Sequence, residues 1–205
     1  LDSAGLDLMA LLTGSEGLLA VITEITVKLL PKPLSTKTLL VAFDSIDNAS
    51  DGVGQIIAAG VIPAGLEMMD SLAIQAAEDF AQVGYPRDAK AILLVELDGF
   101  TESVDEELEL VNQVLTTAGA TSIRLAKDDA ERAQFWLGRK SAFPAVGRLA
   151  PDYYCMDGTI PRRELANVLN YIQELSVFYD LPVANVFHAG DGNLHPLILF
   201  DSSKP

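Results

Sequence analysis

From residue 38 onward the chain alternates short apolar segments of β-strand type with longer amphipathic segments of helical type, and this alternation most constrains its fold. The segments predicted to be extended are residues 38–43, 65–69, 91–97, 122–126, 153–160, 183–187 and 197–200. The predicted helices are residues 46–59, 72–83, 104–118, 128–143 and 162–179. Because each kind of segment has an apolar face to bury, the pattern favours an α+β domain in which helices pack on one face of an antiparallel sheet.

The first 33 residues follow a different pattern. Residues 6–12 have helical character, and residues 18–30 are rich in β-branched side chains and are predicted to form a strand. Pro31-Lys32-Pro33 then ends the segment as an interdomain linker would. We therefore expect a domain boundary there, with residues 1–33 in one unit and residues 34–205 in the other. The N-terminal Leu1 and the end of the chain just past a predicted strand suggest a piece of a longer protein.

A glycine loop, formed by Gly14, Ser15, Glu16 and Gly17, separates the helical and β-rich parts of the first unit. Glycine lets backbone N–H groups approach a phosphate or a flavin ring closely. The same residues also suit a simple tight turn, and the local sequence does not decide between the two.

The charge balance limits the classes of partner. The formal net charge of the 205-residue chain is −15, so most of its surface repels nucleic acid and anionic lipid. No uninterrupted run of about 18 apolar residues is present, so no membrane span is expected. The single cysteine, Cys155, excludes an internal disulfide and is expected to be a small buried apolar residue.

Five cations nevertheless fall in the 25-residue stretch from position 139 to position 163: Arg139, Lys140, Arg148, Arg162 and Arg163. On an acidic protein, such a patch would suit an anionic substrate, and the planar fork of arginine suits a carboxylate. The alternative for any one of them is ordinary surface pairing with Asp or Glu. Trp136, nearby, is expected to pack in the core.

The two histidines of the chain, His188 and His195, flank one short turn-forming segment between apolar runs. A strand, a tight loop and a second strand would bring both imidazoles toward one point, which suggests a metal or acid/base site. The alternative is a hairpin whose histidines only form hydrogen bonds. Asp191, inside the loop, either orients a ligand or stabilises its own turn, and the turn is favoured.

Three segments carry a resemblance to a known family. NVFHAGDGNLHP (residues 185–196), TGSEGLLAVITE (residues 13–24) and the pair FWLGRKSAFPAVGR and PDYYCMDGTIPR (residues 135–148 and 151–162) resemble the FAD-linked oxidase C-terminal domain family. The resemblance implies a ferredoxin-like cap domain over residues 34–205, truncated at its C-terminal end. Residues 1–33 would then be the last part of an FAD-binding domain.

The family resemblance, which is strongest to its glycolate-oxidising members, implies a flavin-dependent 2-hydroxy-acid dehydrogenase. It would oxidise glycolate to glyoxylate and pass a hydride to FAD. D-Lactate dehydrogenase activity is the alternative within the family, and a non-catalytic metal-binding or subunit-interaction domain is the alternative outside it. A lysine found in some relatives that use larger diacids is replaced here by Cys155, which favours a small monoacid.

The resemblance also implies roles for individual residues. His188 and His195 would bind a divalent metal, zinc or manganese, with the catalytic residue Asn193 beside it. Arg139 would hold the substrate carboxylate. The residues expected to contact FAD are Gly14, Ser15, Glu16, Gly17 and Ile22.

The remaining implications concern what surrounds this chain. The family's third metal ligand and catalytic histidine lie in a later Gly-Glu-His-Gly motif, and most of the FAD site lies in a preceding domain; neither is in this sequence. The chain alone is therefore expected to be inactive, without bound FAD and weak in metal binding. Implied partners are further glycolate oxidase subunits, including an iron–sulfur subunit, at a cytoplasmic location or peripherally at the inner membrane.

Overall fold

The computed structural model describes residues 5–204, and the chain divides into two compact units, residues 1–32 and 33–205. The first unit contains the short helix α1 (Leu8–Leu12), in which the Asp7 side chain accepts a hydrogen bond from the Ala10 N–H. Residues 20–33 contain no helix or strand. The prediction of a strand at residues 18–30 was therefore wrong for this chain. A strand needs neighbouring backbone as hydrogen-bond partner, and no described strand pairs with this segment.

The second unit contains nine strands and five α-helices among its described residues. The strands are β1 (Ser35–Phe43), β2 (Gly65–Asp70), β3 (Ala91–Gly99), β4 (Ser122–Leu125), β5 (Asp152–Cys155), β6 (Gly158–Thr159), β7 (Val183–His188), β8 (Asn193–Leu194) and β9 (Pro196–Phe200). The helices are α2 (Ile46–Ala58), α3 (Ser71–Ala81), α4 (Thr101–Thr117), α5 (Asp129–Val146) and α6 (Leu165–Tyr179). One 3₁₀ turn, Arg162–Glu164, leads into α6.

Every strand pairing in the described sheet is antiparallel, as predicted. The order runs β4-β1-β3-β2-β7, and β7 then pairs with both β8 and β9. The short outer strands β6 and β5 pair with β8 and β9, respectively. This order places β2 next to β7, so Glu67 lies directly opposite His188.

Helices cover both faces of the sheet, so the α+β class is confirmed but the expected single helical face is corrected. One core joins α2, α4 and α6 to side chains such as Leu39 and Val41. A second core joins α3 and α5 to the alternate side chains of the same strand, such as Leu40 and Ala42. Because β1 is apolar at consecutive positions, both of its faces need cover.

Polar side chains fix the starts of several helices. Ser45 accepts a hydrogen bond from the Asn48 N–H at the start of α2. Asp70 accepts one from the Ala73 N–H at the start of α3. Helix α5 continues past residue 143, its predicted end, to Val146 and contains Pro144 in its last turn. This helix carries Arg139.

Candidate functional site

The hairpin formed by β7, β8 and β9 brings the two histidines together. His188 ends β7, and His195 lies between β8 and β9. Their ring centroids are 5.3 Å apart, and their planes are 86° apart. An extended chain over the same seven steps would separate them by about 23 Å, so the turn between them creates this proximity.

The turn depends on Asp191 and Gly192. The Asn193 N–H donates a hydrogen bond of 2.9 Å to Asp191 Oδ1, which confirms the predicted turn role of Asp191. Gly192 has a φ of +78°, and a Cβ there would collide with the carbonyl oxygen of Ile160. Another residue at position 192 would therefore be both strained and obstructed.

Glu67, which the sequence analysis did not single out, joins two of the predicted site residues. Its side chain on β2 is 9% exposed. Glu67 Oε1 lies 2.7 Å from His188 Nδ1, and Glu67 Oε2 accepts a hydrogen bond of 2.8 Å from Arg139 Nε. The available signal was a lone carboxylate in the apolar run Leu66-Glu67-Met68-Met69, because an interior charge needs a partner.

Arg139 is buried, at 8% exposure, and its side chain makes one hydrogen bond to a described residue, the one to Glu67. Burial and the ion pair with Glu67 make this side chain part of the packed interior, so it contributes to the stability of the fold as well as to the candidate site. The terminal nitrogens of the guanidinium make no hydrogen bond to any described residue, so they remain available to a carboxylate.

The predicted cationic patch does not converge on one site. Arg148 lies 4.4 Å from the ring centre of Phe80, Arg163 is largely exposed beside Glu164, and Lys140 is exposed. Of these three residues, Arg163 pairs with an acid, as the alternative expected, whereas Arg148 stacks on an aromatic ring. Arg162 differs, because it lines a cleft of ≈390 Å³ together with Glu67 and His188. Its Nη1 donates a hydrogen bond of 2.9 Å to the Gly190 carbonyl.

Asn193 and His195 complete the polar surroundings of the two rings. Asn193 Oδ1 is buried and has no hydrogen-bond partner among the described residues. Such an oxygen is costly unless a ligand or water satisfies it. His195 is half-buried, with Nδ1 3.7 Å from Asp157 Oδ1 and its ring centre 6.4 Å from that of Phe143. These groups suit a small polar ligand.

The two imidazoles fit a shared metal ion in separation, but the described residues supply only part of a metal site. With nitrogen–zinc distances of about 2.0–2.1 Å, two rings on one tetrahedral ion have centres roughly 5 Å apart, close to the 5.3 Å observed. No group of three or more His, Cys, Asp and Glu side chains among residues 5–204 is arranged to hold a metal. Any metal here would need a further ligand.

The glycine loop of the first unit is open rather than enclosed. Gly14 and Gly17 each have a φ of +78°, and a Cβ at either position would meet nothing within 4 Å. Glu16 also has a positive φ, of 51°, and Ile22 is 64% exposed. The loop backbone is thus unobstructed at both glycines, and the described residues form no cradle around it.

Trp136 and Cys155 were both expected to be buried in the core. Trp136 packs against the core that contains α5, as predicted, while its indole N–H donates to Glu96 Oε2. Cys155 is exposed at the end of β5, so its prediction as a buried residue is corrected. The outer strand β5 presents this side chain to solvent because it lies at the margin of the sheet.

Among the described residues, no helix combines the length and the apolar composition that a membrane span requires.

Among curated proteins, the chain is 66% identical over 205 residues to glycolate oxidase subunit GlcD of Escherichia coli K12, covering 100% of this chain and 41% of that protein. It is 42% identical over 200 residues to GlcD of Bacillus subtilis, covering 98% and 43%. D-Lactate dehydrogenase of Anaerostipes hadrus is 30% identical over 200 residues, covering 94% and 42%.

The chain therefore spans about two fifths of the length of the curated relatives it matches. Among solved structures, alkyldihydroxyacetonephosphate synthase has a TM-score of 0.69 at 17% identity, covering 96% of this chain and 42% of that chain. That likeness shows the fold. The family model described as "FAD linked oxidases, C-terminal domain" matches residues 32–205. Since the match spans most of the sequence, the chain belongs to the FAD-linked oxidase C-terminal domain family.

Proposed function

We propose that this chain is the substrate-side part of an FAD-dependent 2-hydroxy-acid dehydrogenase that oxidises glycolate to glyoxylate. The observation that carries the proposal is the constellation around Glu67. Within it, His188, Arg139 and the unpartnered Asn193 Oδ1 come from different elements and meet in one region. A small hydroxy acid has one carboxylate, which matches the guanidinium of Arg139, and one hydroxyl group, which matches the acceptor Asn193 Oδ1.

The relatives support this choice of substrate. Those named as glycolate oxidase subunits are the more similar, at 66% and 42% identity, whereas the D-lactate dehydrogenase is 30% identical. D-Lactate differs from glycolate by one methyl group, which a hydrophobic pocket discriminates by only about 1–3 kcal/mol. D-Lactate is therefore the second candidate substrate.

Each polar group has a distinct task in the proposed reaction. The terminal nitrogens of Arg139 would hold the carboxylate in a bidentate manner and so fix the direction of the α-carbon. Asn193 Oδ1 would accept a hydrogen bond from the hydroxyl group. His188 and His195 would hold a divalent metal, zinc or manganese, which supplies Lewis-acid chemistry to that hydroxyl. FAD, when bound, supplies the hydride acceptor.

We propose further that residues 1–33 end the FAD-binding domain and that residues 34–205 belong to the substrate-side cap. The division of the chain at residues 32 and 33, and the family match from residue 32, support this assignment. The open loop of Gly14, Ser15, Glu16 and Gly17, with Ile22 beyond it, would contact FAD held mainly by other residues.

The word "subunit" in the names of two relatives supports a multisubunit enzyme. We accordingly propose that the complete protein assembles with other glycolate oxidase subunits, one of which carries an iron–sulfur cluster. Its location would be cytoplasmic, or peripheral at the inner membrane through those subunits.

The test is anaerobic substrate reduction of the full-length flavoprotein. Glycolate should bleach the flavin absorbance fastest, D-lactate more slowly, and an acid without a 2-hydroxyl group, such as acetate, should have no effect. Faster bleaching by D-lactate would establish the second candidate. A full-length protein that binds no flavin would instead favour a non-catalytic metal-binding or subunit-interaction domain.

A further inference from the structure

We propose that Glu67 is a positioning residue that sets the tautomer of His188 and the orientation of Arg139 at the same time. The inference rests on the proposed function for its catalytic consequence, but its structural part concerns this chain alone. It assigns to β2 a role in a site whose other residues lie on α5 and on the β7–β8–β9 hairpin.

The contacts of Glu67 are divided between its two oxygens. Oε2 accepts from Arg139 Nε at 2.8 Å, and Oε1 faces His188 Nδ1 at 2.7 Å. A carboxylate can only accept at both oxygens. His188 must therefore present an N–H at Nδ1, which leaves the lone pair of a neutral ring at Nε2.

The position of that lone pair decides what His188 can do. A neutral imidazole binds a metal or accepts a proton only through its unprotonated nitrogen. Carboxylates that hold the opposite ring N–H of a metal-binding histidine typically contribute 10- to 100-fold to metal affinity. With Nδ1 bound to Glu67, His188 has Nε2 available for a metal or a proton, and its side chain, which lines the cleft, is 47% exposed.

The same carboxylate limits the freedom of Arg139. Because Nε donates to Glu67, one edge of the planar guanidinium is held at the sheet, while its two terminal nitrogens make no hydrogen bond to a described residue. Glu67 would thus set the positions of both the group that binds the substrate carboxylate and the lone pair of His188. Glu67 is buried, and its backbone is held by pairing with both β3 and β7.

The variant Glu67→Gln distinguishes control of the His188 tautomer from a purely structural role in which Glu67 only holds α5 to the sheet. A glutamine has one acceptor oxygen and one donor NH₂ group. If the oxygen stays with Arg139 Nε, the NH₂ group faces His188 Nδ1 and favours the tautomer protonated at Nε2. The control is Glu96→Gln, since Glu96 pairs with Arg132 of the same helix and contacts neither histidine.

The experiment is ¹⁵N NMR of the imidazoles in the 205-residue chain, metal-free, at about pH 8, above the usual titration range of histidine. With two histidines in the chain, a His195→Gln variant assigns the rings. We expect protonation of His188 at Nδ1 in the parent and in Glu96→Gln, and at Nε2 in Glu67→Gln. A parent ring protonated at Nε2, or at both nitrogens, overturns the proposal even if Glu67→Gln does not fold.

A second measurement links the tautomer to the site. Zn²⁺ affinity of the 205-residue chain should fall 10- to 100-fold in Glu67→Gln and change by less than about twofold in Glu96→Gln. Equal losses in the two variants would mean that Glu67 only anchors α5. Failure of glycolate to reduce the full-length flavoprotein would refute the proposed function, whereas the NMR result would still decide the role of Glu67.

Discussion

Arg132 and Arg139 lie seven residues, or about two helical turns, apart on α5, and each binds a glutamate of the sheet beneath it. Arg132 holds Glu96 through two hydrogen bonds of 2.8 Å, and Arg139 holds Glu67 through one. The two pairs differ in exposure, because the Arg132 side chain is 36% exposed and that of Arg139 is 10% exposed. The outer pair therefore anchors the helix, while the inner pair lies within the candidate site.

Arg139→Ala should destabilise the chain far more than Arg132→Ala. Removal of one partner from a buried pair leaves an uncompensated charge and costs about 3–5 kcal/mol, whereas a partly exposed pair contributes up to about 1 kcal/mol. Urea unfolding of both variants measures the free energies. Equal losses would show that burial does not distinguish the two pairs.

Arg139→Lys in the full-length enzyme should retain the positive charge but lose the fork that holds the carboxylate. A charge-assisted hydrogen bond contributes about 1.5–3 kcal/mol, so kcat/KM for glycolate should fall by roughly ten- to 150-fold at 1.4 kcal/mol per decade. The control is Arg163→Lys, at an exposed position outside the Glu67 constellation. Parental turnover by a folded Arg139→Lys enzyme would move the carboxylate contact to Arg162 in the adjacent cleft.

Asp70 should make the stability of the chain depend on pH. Burial raises the pKa of Asp70 from 3.8 to about 6, although the Ala73 N–H and two Asn185 donors partly oppose this. Since the folded state binds the proton more tightly, the contribution of Asp70 to the free energy of unfolding is greatest below about pH 4 and is lost as the pH rises through about 6. The total loss corresponds to roughly 3 kcal/mol.

Asp70→Asn removes that titration and keeps an acceptor for the helix start. The unfolding free energy of the parent, relative to this variant, should therefore fall as the pH rises from about 4 to about 7. Asp128→Asn alters the exposed cap of α5, and its free energy of unfolding should change with pH as that of the parent does. A constant difference between Asp70→Asn and the parent would contradict the assignment.

Gly138→Ala should be destabilising although alanine is the better helix former. A Cβ at position 138 would lie 2.5 Å from Tyr85 Cζ, so the buried tyrosine or α5 must move, which typically costs about 1–3 kcal/mol. Gly54 of α2 has nothing within 4 Å of the same atom, so Gly54→Ala should stabilise the chain by roughly 0.5–1 kcal/mol. Thermal unfolding of the two variants should show shifts of opposite sign.

Zn²⁺ binding to the isolated chain should be weak and should require both imidazoles. His188→Gln and His195→Gln should each abolish the heat of binding in calorimetric titrations, because too few ligands then remain. Cys155→Ala serves as the control, since the exposed thiol is an alternative zinc ligand outside the histidine pair. Binding that survives both histidine changes but not Cys155→Ala would place the metal elsewhere.

Local sequence determined most of the elements after residue 34. The predicted helix at residues 46–59 corresponds to α2, which begins at Ile46 as predicted and ends at Ala58, one residue before its predicted end. The loop between His188 and His195 could likewise be recognised, because Asp191 and Gly192 satisfy turn requirements within a few residues. Such features depend on neighbours in the chain, which a sequence displays directly.

Only the tertiary structure decided which distant side chains meet. The pairing of β2 with β7 placed Glu67 against His188, 121 positions away, and the packing of α5 brought Arg139 to the same carboxylate. Helices on both faces followed from the burial of both sides of β1. Residues 18–30 show the converse, since their β-type composition forms no strand without a pairing partner. Strand order and helix docking depend on long-range burial of apolar surface, so local patterns specified the elements while packing assembled the site.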